Sequence, residues 1–513
     1  MDIYLINGDV FLEEIQIVLV EHFGLSEDAA SILTMQKILP HIKQLRSNLN
    51  FLIETEYIDK VYRDSYYNYY STKLNEYKRS CLKVSIFDCD LEYDFFRDKS
   101  TVVKLKENFL GFFVLRPTEP NIIGRSIISP KALVTNNFQT CIAFIPTTVL
   151  SIKFDVRGFP HSSQDAETIT CAETALWAIF EYFGNKYSEY KPILPSQILG
   201  KLKNISHERQ MPSKGLLIHQ MSYVLREFGL EPKIYSRSEY NHDFEKLISM
   251  YIESGIPLII ALDNLKYITN PGFSDATRYI GHASLCIGRE MICDEMIDNL
   301  TTLNSPYSNL NDSILENELS IFDLDDIRKK FIFIDDNMPV YQNAFLDHPC
   351  DHYSSADWSK CEISYFIAPL HKKVYLEAYE VKNFALALLL SGNFSINKKS
   401  NFTIKAFLTS CRSYKQYIAF NELLVAEAKD EILEQKMPKF IWVIELSTKE
   451  LSKQGLVNGL LIIDATEPNL YNIEPLILGM YNNIVLKYSN LLKNLERIPL
   501  SLQPFRQFDS NLK

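Results

Sequence analysis

Thr170-Cys171-Ala172-Glu173 fixes the start of a helix more firmly than any other stretch of this chain. Threonine is a favoured N-cap, and a glutamate three residues later can close a capping box on the free N–H groups of the first turn. Ala175, Leu176, Ile179, Phe180 and Phe183 then recur at helical spacing, which predicts a helix buried along one face. A cysteine at such a start lies where the peptide dipole and the unpaired N–H groups favour thiolate over thiol. Cysteine is also among the most buried residue types, so the position alone is compatible with plain packing.

The chain around this helix is long and mixed in period. Its 513 residues exceed what one core holds, and 46% hydrophobic with 12% aromatic content suffices for several packed domains. Residues 1–80 read as a helical region, with Tyr62, Tyr66, Tyr69, Tyr70 and Tyr77 on one face. From 81 to 158 the period changes to two, in Leu82, Val84 and Ile86 and in short apolar runs bounded by Pro117 and Pro130, which predicts a β-rich segment. Residues 159–372 alternate helices with strands, and 373–513 form a further α/β domain. Within these, Phe244 to Glu253 reads as a helix, and Gly255-Ile256-Pro257 as a turn into an apolar strand at 258–262. The acidic, Asn-rich stretch 289–330 reads as a surface insertion.

A net charge of -11 with no basic run argues against a nucleic-acid or membrane partner. The apolar run 384–390 is too short to span a bilayer, and the first residues lack the basic region of a signal peptide. Nine cysteines, an odd number without a spacing pattern, fit reduced thiols in the cytoplasm.

Two further elements complete a chemical set with Cys171. His282 opens the predicted strand His282-Ala283-Ser284-Leu285-Cys286-Ile287, and Asp335-Asp336 closes Phe331-Ile332-Phe333-Ile334. A thiolate attacks a carbonyl, an imidazole serves it as base and then as acid, and a carboxylate orients the imidazole. Gln164, just upstream, offers an amide for the oxyanion beside the Cys171 N–H. Singly, each has a plainer reading: a core histidine, a turn at Asp335-Asp336, a polar loop at Gln164-Asp165. His348, Cys350, His352 and Cys361 are zinc-ligand types, but their spacing matches no standard knuckle. Arg412 and Lys415 read as a solvated helix face. No cofactor or metal is expected.

With these residues in chain order, the stretch 159–345 resembles the papain-like cysteine peptidase superfamily, and within it the double-glycine leader peptidases and related bacterial papain-like proteins. The resemblance rests on Gln164 before Thr170-Cys171-Ala172-Glu173-Thr174-Ala175-Leu176-Trp177, on Gly281-His282-Ala283-Ser284-Leu285-Cys286-Ile287-Gly288, and on Phe333-Ile334-Asp335-Asp336. It implies an α+β fold with a papain-like core, Cys171 as nucleophile, His282 as base, Asp335 or Asp336 as orienter and Gln164 as oxyanion donor. It departs from the family in Ala172, where glycine is usual, in Gln164 standing seven rather than six before the cysteine, and in the long 53-residue interval from His282 to Asp335. No transport domain follows, so export-coupled leader processing is not expected. The implied activity is hydrolysis of a peptide or isopeptide bond in a protein or peptide substrate, with the flanking domains selecting that substrate or occluding the cleft until a regulatory protein binds. The alternatives are a transglutaminase-like acyl transferase on the same residues, and an inactive papain-fold scaffold.

Overall fold

A computed structural model describes all residues except 1, 207–208, 269–278, 304–313, 315–317, 395, 397–398, 469–474, 490–493 and 510. The class is α+β: helices lie among sheets whose pairings are mostly antiparallel. Among the described residues no helix is long and apolar enough to cross a membrane.

The chain forms two compact units, and neither is continuous in sequence. The first comprises Met1–Gly229, Ile259–Ile287 and Ile332–Ile367; the second comprises Leu230–Leu258, Gly288–Phe331 and Ala368–Lys513. The four consecutive segments expected from sequence do not coincide with these units, because strand pairing joins residues on both sides of the expected boundaries.

The first unit carries an antiparallel sheet in the order Ile3–Asn7, Asn50–Tyr57, Cys81–Phe87, Phe109–Leu115, Ile123–Ile128, Ile152–His161, Ala143–Val149. Residues 1–80 are therefore not purely helical. Phe51, Leu52 and Ile53 are buried in a strand that pairs with Cys81–Phe87, straight across the expected boundary at 80/81. The tyrosine face is real: Tyr62 and Tyr70 are buried and pack ring to ring at 6.1 Å, with Tyr77 4.8 Å from Tyr70. Its helix stops at Asn68, so Tyr69, Tyr70 and Tyr77 join the cluster from outside regular α-helix.

A second set of strands, the larger part of each in this unit, runs Gln342–Ala344, Phe331–Ile334, Gly281–Glu290, Leu258–Asp263, Glu362–His371, with Phe138–Thr140 also pairing Gly281–Glu290. The helix Cys171–Lys186 packs on Ala143–Val149 and Ile152–His161 and is buried from Ala172 to Phe183. Glu181 on this helix is buried, and it accepts from Arg125 at 2.8 Å and Lys60 at 2.8 Å. Burial opposes its charge, but the two cations hold the carboxyl below its ordinary range.

In the second unit a sheet runs Ser320–Asp323, Asn401–Ser410, Phe440–Ser447, Gly459–Asp464, Leu476–Tyr481, Ile484–Ser489, Asn494–Pro499. The helix Phe244–Glu253 ends where expected. Gly255 stands at φ +70°, its N–H bonds Ile252 O, and the Ile256 N–H bonds Tyr251 O, a Schellman closure that favours glycine. The stretch 289–330 is not a mere surface insertion. Ser320–Asp323 pairs in parallel with the chain at 401–404, and Arg289, Asp323, Asp325 and Lys329 are buried. Three of these charges are paired: Arg289 and Lys405 hold Glu253 at 2.6 and 2.9 Å, and Lys382 bridges Asp323 and Asp325 at 2.8 and 2.7 Å, while Lys329 donates to Ser249 Oγ at 2.9 Å. Part of the charge in this stretch is therefore core structure, which its acidic composition disguised. Residues 304–313 and 315–317 of it lie outside the described residues.

Candidate active site

Cys171 is the first residue of its helix and is half-buried. Asp165 shapes the approach: its Oδ1 accepts from the backbone N–H groups of Glu167, Thr168 and Ile169 at 3.0, 2.6 and 2.9 Å. The Glu173 carboxylate then reaches back to the Thr170 N–H at 3.1 Å and to its hydroxyl at 2.5 Å, and takes a further bond from Ser213 Oγ at 2.6 Å. The helix start is thus pinned by two local bonds from Thr170 to one buried acid, which Ser213 holds from outside the helix, and Cys171 sits on a fixed turn.

His282 is the second residue of the strand Gly281–Glu290, and the strand Phe331–Ile334 delivers Asp335 and Asp336 at its end. The three side chains are buried. His282 Nε2 lies 3.1 Å from Asp335 Oδ2, which assigns the proton on that nitrogen to a bond with the carboxylate. The ring also hydrogen-bonds the Cys171 thiol. With Nε2 committed to Asp335, Nδ1 is the nitrogen left for the sulfur.

The electrostatics separate the two aspartates. Burial opposes charge on His282, yet the Asp335 carboxylate and the bond it accepts, with Cys171 and Asp336 adding to them, raise the ring's pKa well above its ordinary value. Burial would also raise Asp335, but His282, His352 and the Asn337 N–H hold it far below the carboxylate range. Asp336 goes the other way, pushed up to about 7 by burial, with the Asp335 charge adding to it against the pull of His282. Its oxygens have no hydrogen-bond partner, and Oδ1 stands 3.6 Å from His282 Nε2. Asp335 is therefore the orienting carboxylate of this arrangement.

The remaining partners were not read from the sequence. Asp335 Oδ1 accepts from the Asn337 N–H and from the Tyr353 hydroxyl, both at 2.9 Å. Tyr353 stacks on Trp358 at 3.8 Å with an interplanar angle of 1°, and Trp358 meets the His282 ring edge-on at 5.2 Å. An indole against one side of the imidazole limits its rotation and its hydration. His161, buried and neutral with its pKa pushed down to about 4 by desolvation, donates from Nε2 to the carbonyls of Asp335 (3.2 Å) and Met338 (3.0 Å) and so fixes the aspartate loop. None of these partners stands at a spacing that a sequence motif could mark.

Gln164 is placed beside the same loop. Its amide donates to Asn337 Oδ1 at 2.8 Å, and Arg116 anchors its loop through the carbonyls of Ser163 and Gln164 at 3.1 and 3.4 Å. A primary amide has two N–H groups, so one remains for another acceptor. The set His348, Cys350, His352 and Cys361 does not assemble: the Cys350 and Cys361 thiols share a hydrogen bond, while His352 faces Asp335. Lys415 is bound to the carbonyls of Leu433 and Gln435 at 2.7 and 2.6 Å, capping the end of a neighbouring helix.

A thiol, an imidazole and a buried carboxylate linked in this order are equipped for nucleophilic attack with proton transfer. No family model matches this sequence, and no curated protein matches it.

Proposed function

We propose that this chain is a papain-like cysteine peptidase, hydrolysing a peptide or isopeptide bond through Cys171, His282 and Asp335. The observation that carries the reading is the linkage of the Cys171 thiol to a buried His282 whose Nε2 is held by Asp335 at 3.1 Å. In the proposed reaction the Cys171 sulfur attacks the carbonyl carbon, and the developing oxyanion takes the Cys171 N–H and the spare Gln164 N–H. The imidazolium then gives a proton to the leaving amine, and a thioester remains. Water, deprotonated by the neutral ring, attacks that thioester and returns the thiol. Asp335 holds the tautomer and stabilises the imidazolium throughout. All nine cysteines are unbridged, which fits a reducing cytoplasmic setting.

The test is iodoacetamide labelling across pH 5 to 9 with every cysteine read by mass spectrometry, followed by a panel of activated thioester and peptide substrates. Cys171 should react fastest, His282→Ala should remove that advantage, and Cys171→Ala should abolish turnover while leaving the fold intact. Turnover that survives in Cys171→Ala would overturn the mechanism. Conjugates formed with added amines would identify the acceptor as an amine rather than water.

A further inference from the structure

We propose that His282 Nε2, Asp335 Oδ2 and Asp336 Oδ1 form a binding site for a divalent transition-metal ion, with water completing its coordination. His282, Asp335 and Asp336 bring their donor atoms within 4.8 Å of one another. The separations are 3.1 Å from His282 to Asp335 and 3.6 Å from His282 to Asp336. Tetrahedral zinc with bonds of 2.0–2.2 Å to nitrogen and oxygen places its ligands about 3.3–3.6 Å apart. The longer separation exceeds a hydrogen bond and agrees with that spacing.

The second observation is the state of the donors themselves. Both oxygens of Asp336 are buried without a hydrogen-bond partner, on a side chain 4% exposed. Buried polar atoms are nearly always paired, and a pair of carboxylates beside an imidazole is a set that a cation resolves. Asp335 Oδ1 is already satisfied by Asn337 and Tyr353, which leaves Oδ2 for the ion. These two bonds also supply the support that metal-binding carboxylates require.

On binding, the Nε2 proton of His282 leaves to water and its lone pair passes to the metal. If Cys171 and His282 act as proposed above, this also disables the base, since the remaining ring proton sits on the nitrogen facing the sulfur. The ion is then an inhibitor of the thiol chemistry.

The experiment uses the full chain after removal of metal with a chelator. Zinc is titrated in competition with a chromogenic chelator, and cobalt(II) is added separately for its spectrum. One equivalent should bind, with tetrahedral cobalt bands and no thiolate charge-transfer band. Asp336→Asn should weaken binding by at least about tenfold, and Cys171→Ser should bind as the native chain does. Circular dichroism on each variant separates ligand loss from unfolding. Less than one equivalent in the native chain, a thiolate band, or native affinity in folded Asp336→Asn would overturn the site. Labelling of Cys171 with and without zinc reports separately on the triad: an unreactive Cys171 in metal-free protein defeats the peptidase reading and leaves the binding result standing.

Discussion

At the scale of single residues, the two adjacent aspartates do opposite things because one has partners and the other does not. Asp335 receives the Asn337 N–H, the Tyr353 hydroxyl and His282, and stays ionised; Asp336 is equally buried with no bond to its oxygens. Asp335→Ala should reduce turnover by as much as about 10⁴-fold, since nothing then orients the imidazole or stabilises its charge. It should also lower the His282 pKa, read by nitrogen-correlated NMR of the ring; an unchanged titration would refute the pairing. The linkage signs follow. His282, raised above 6.5, adds stability that is fully present below that value and is lost as pH rises through its folded pKa. Asp335, lowered, adds stability above about 3.8 that is lost as pH falls through its folded pKa. Asp336, raised to about 7 from 3.8, costs stability that grows as pH climbs between those values. In chelator, Asp336→Asn should therefore stabilise the protein at pH 8, by about 1–3 kcal/mol, and much less at pH 4. Equal effects at both pH values, by thermal unfolding, would contradict the assignment.

At the scale of elements, the helix bearing Cys171 is held by a charge as well as by its apolar face. Glu181 is 1% exposed and pairs with Arg125, on the strand Ile123–Ile128, and with Lys60. Replacing one member of a buried pair strands the other, at a cost of about 3–5 kcal/mol. Glu181→Gln should show that loss in urea unfolding, and a change below 1 kcal/mol would mean the network is solvated. The helix itself was legible in the sequence, because the Thr170–Glu173 cap and the 3.6-residue spacing are local facts. The strand Asn50–Tyr57 was not. Its residues Phe51, Leu52 and Ile53 are buried in succession, so it lacks the alternation that marks a half-exposed strand, and it lies among helices.

At the scale of the whole molecule, each compact unit is assembled from three stretches, so the chain passes from one unit to the other five times. Ser320–Asp323 needs Asn401–Ser410 beside it, and Glu253 needs Lys405 as well as Arg289. Residues 1–372 expressed alone should therefore fail to give a cooperatively melting protein, because Leu230–Leu258 and Gly288–Phe331 would lose their sheet and their counter-charges. A soluble fragment with a sharp thermal transition would show that the first unit folds without them.

Local sequence was enough to set the elements that carry chemistry: the capped helix start at Cys171, the strand opening at His282, the strand end at Asp335-Asp336, and the glycine turn at 255. Each rests on periodicity or on capping and turn preferences that act within a few residues. Tertiary structure alone decided which aspartate faces the imidazole, that Tyr353, Trp358 and His161 hold the pair, and that Arg289, Asp323 and Asp325 of the acidic stretch are buried in ion pairs. Those outcomes depend on partners tens to more than a hundred residues apart, whose meeting is set by strand pairing and by the cost of burying unpaired charge, and no local pattern encodes either.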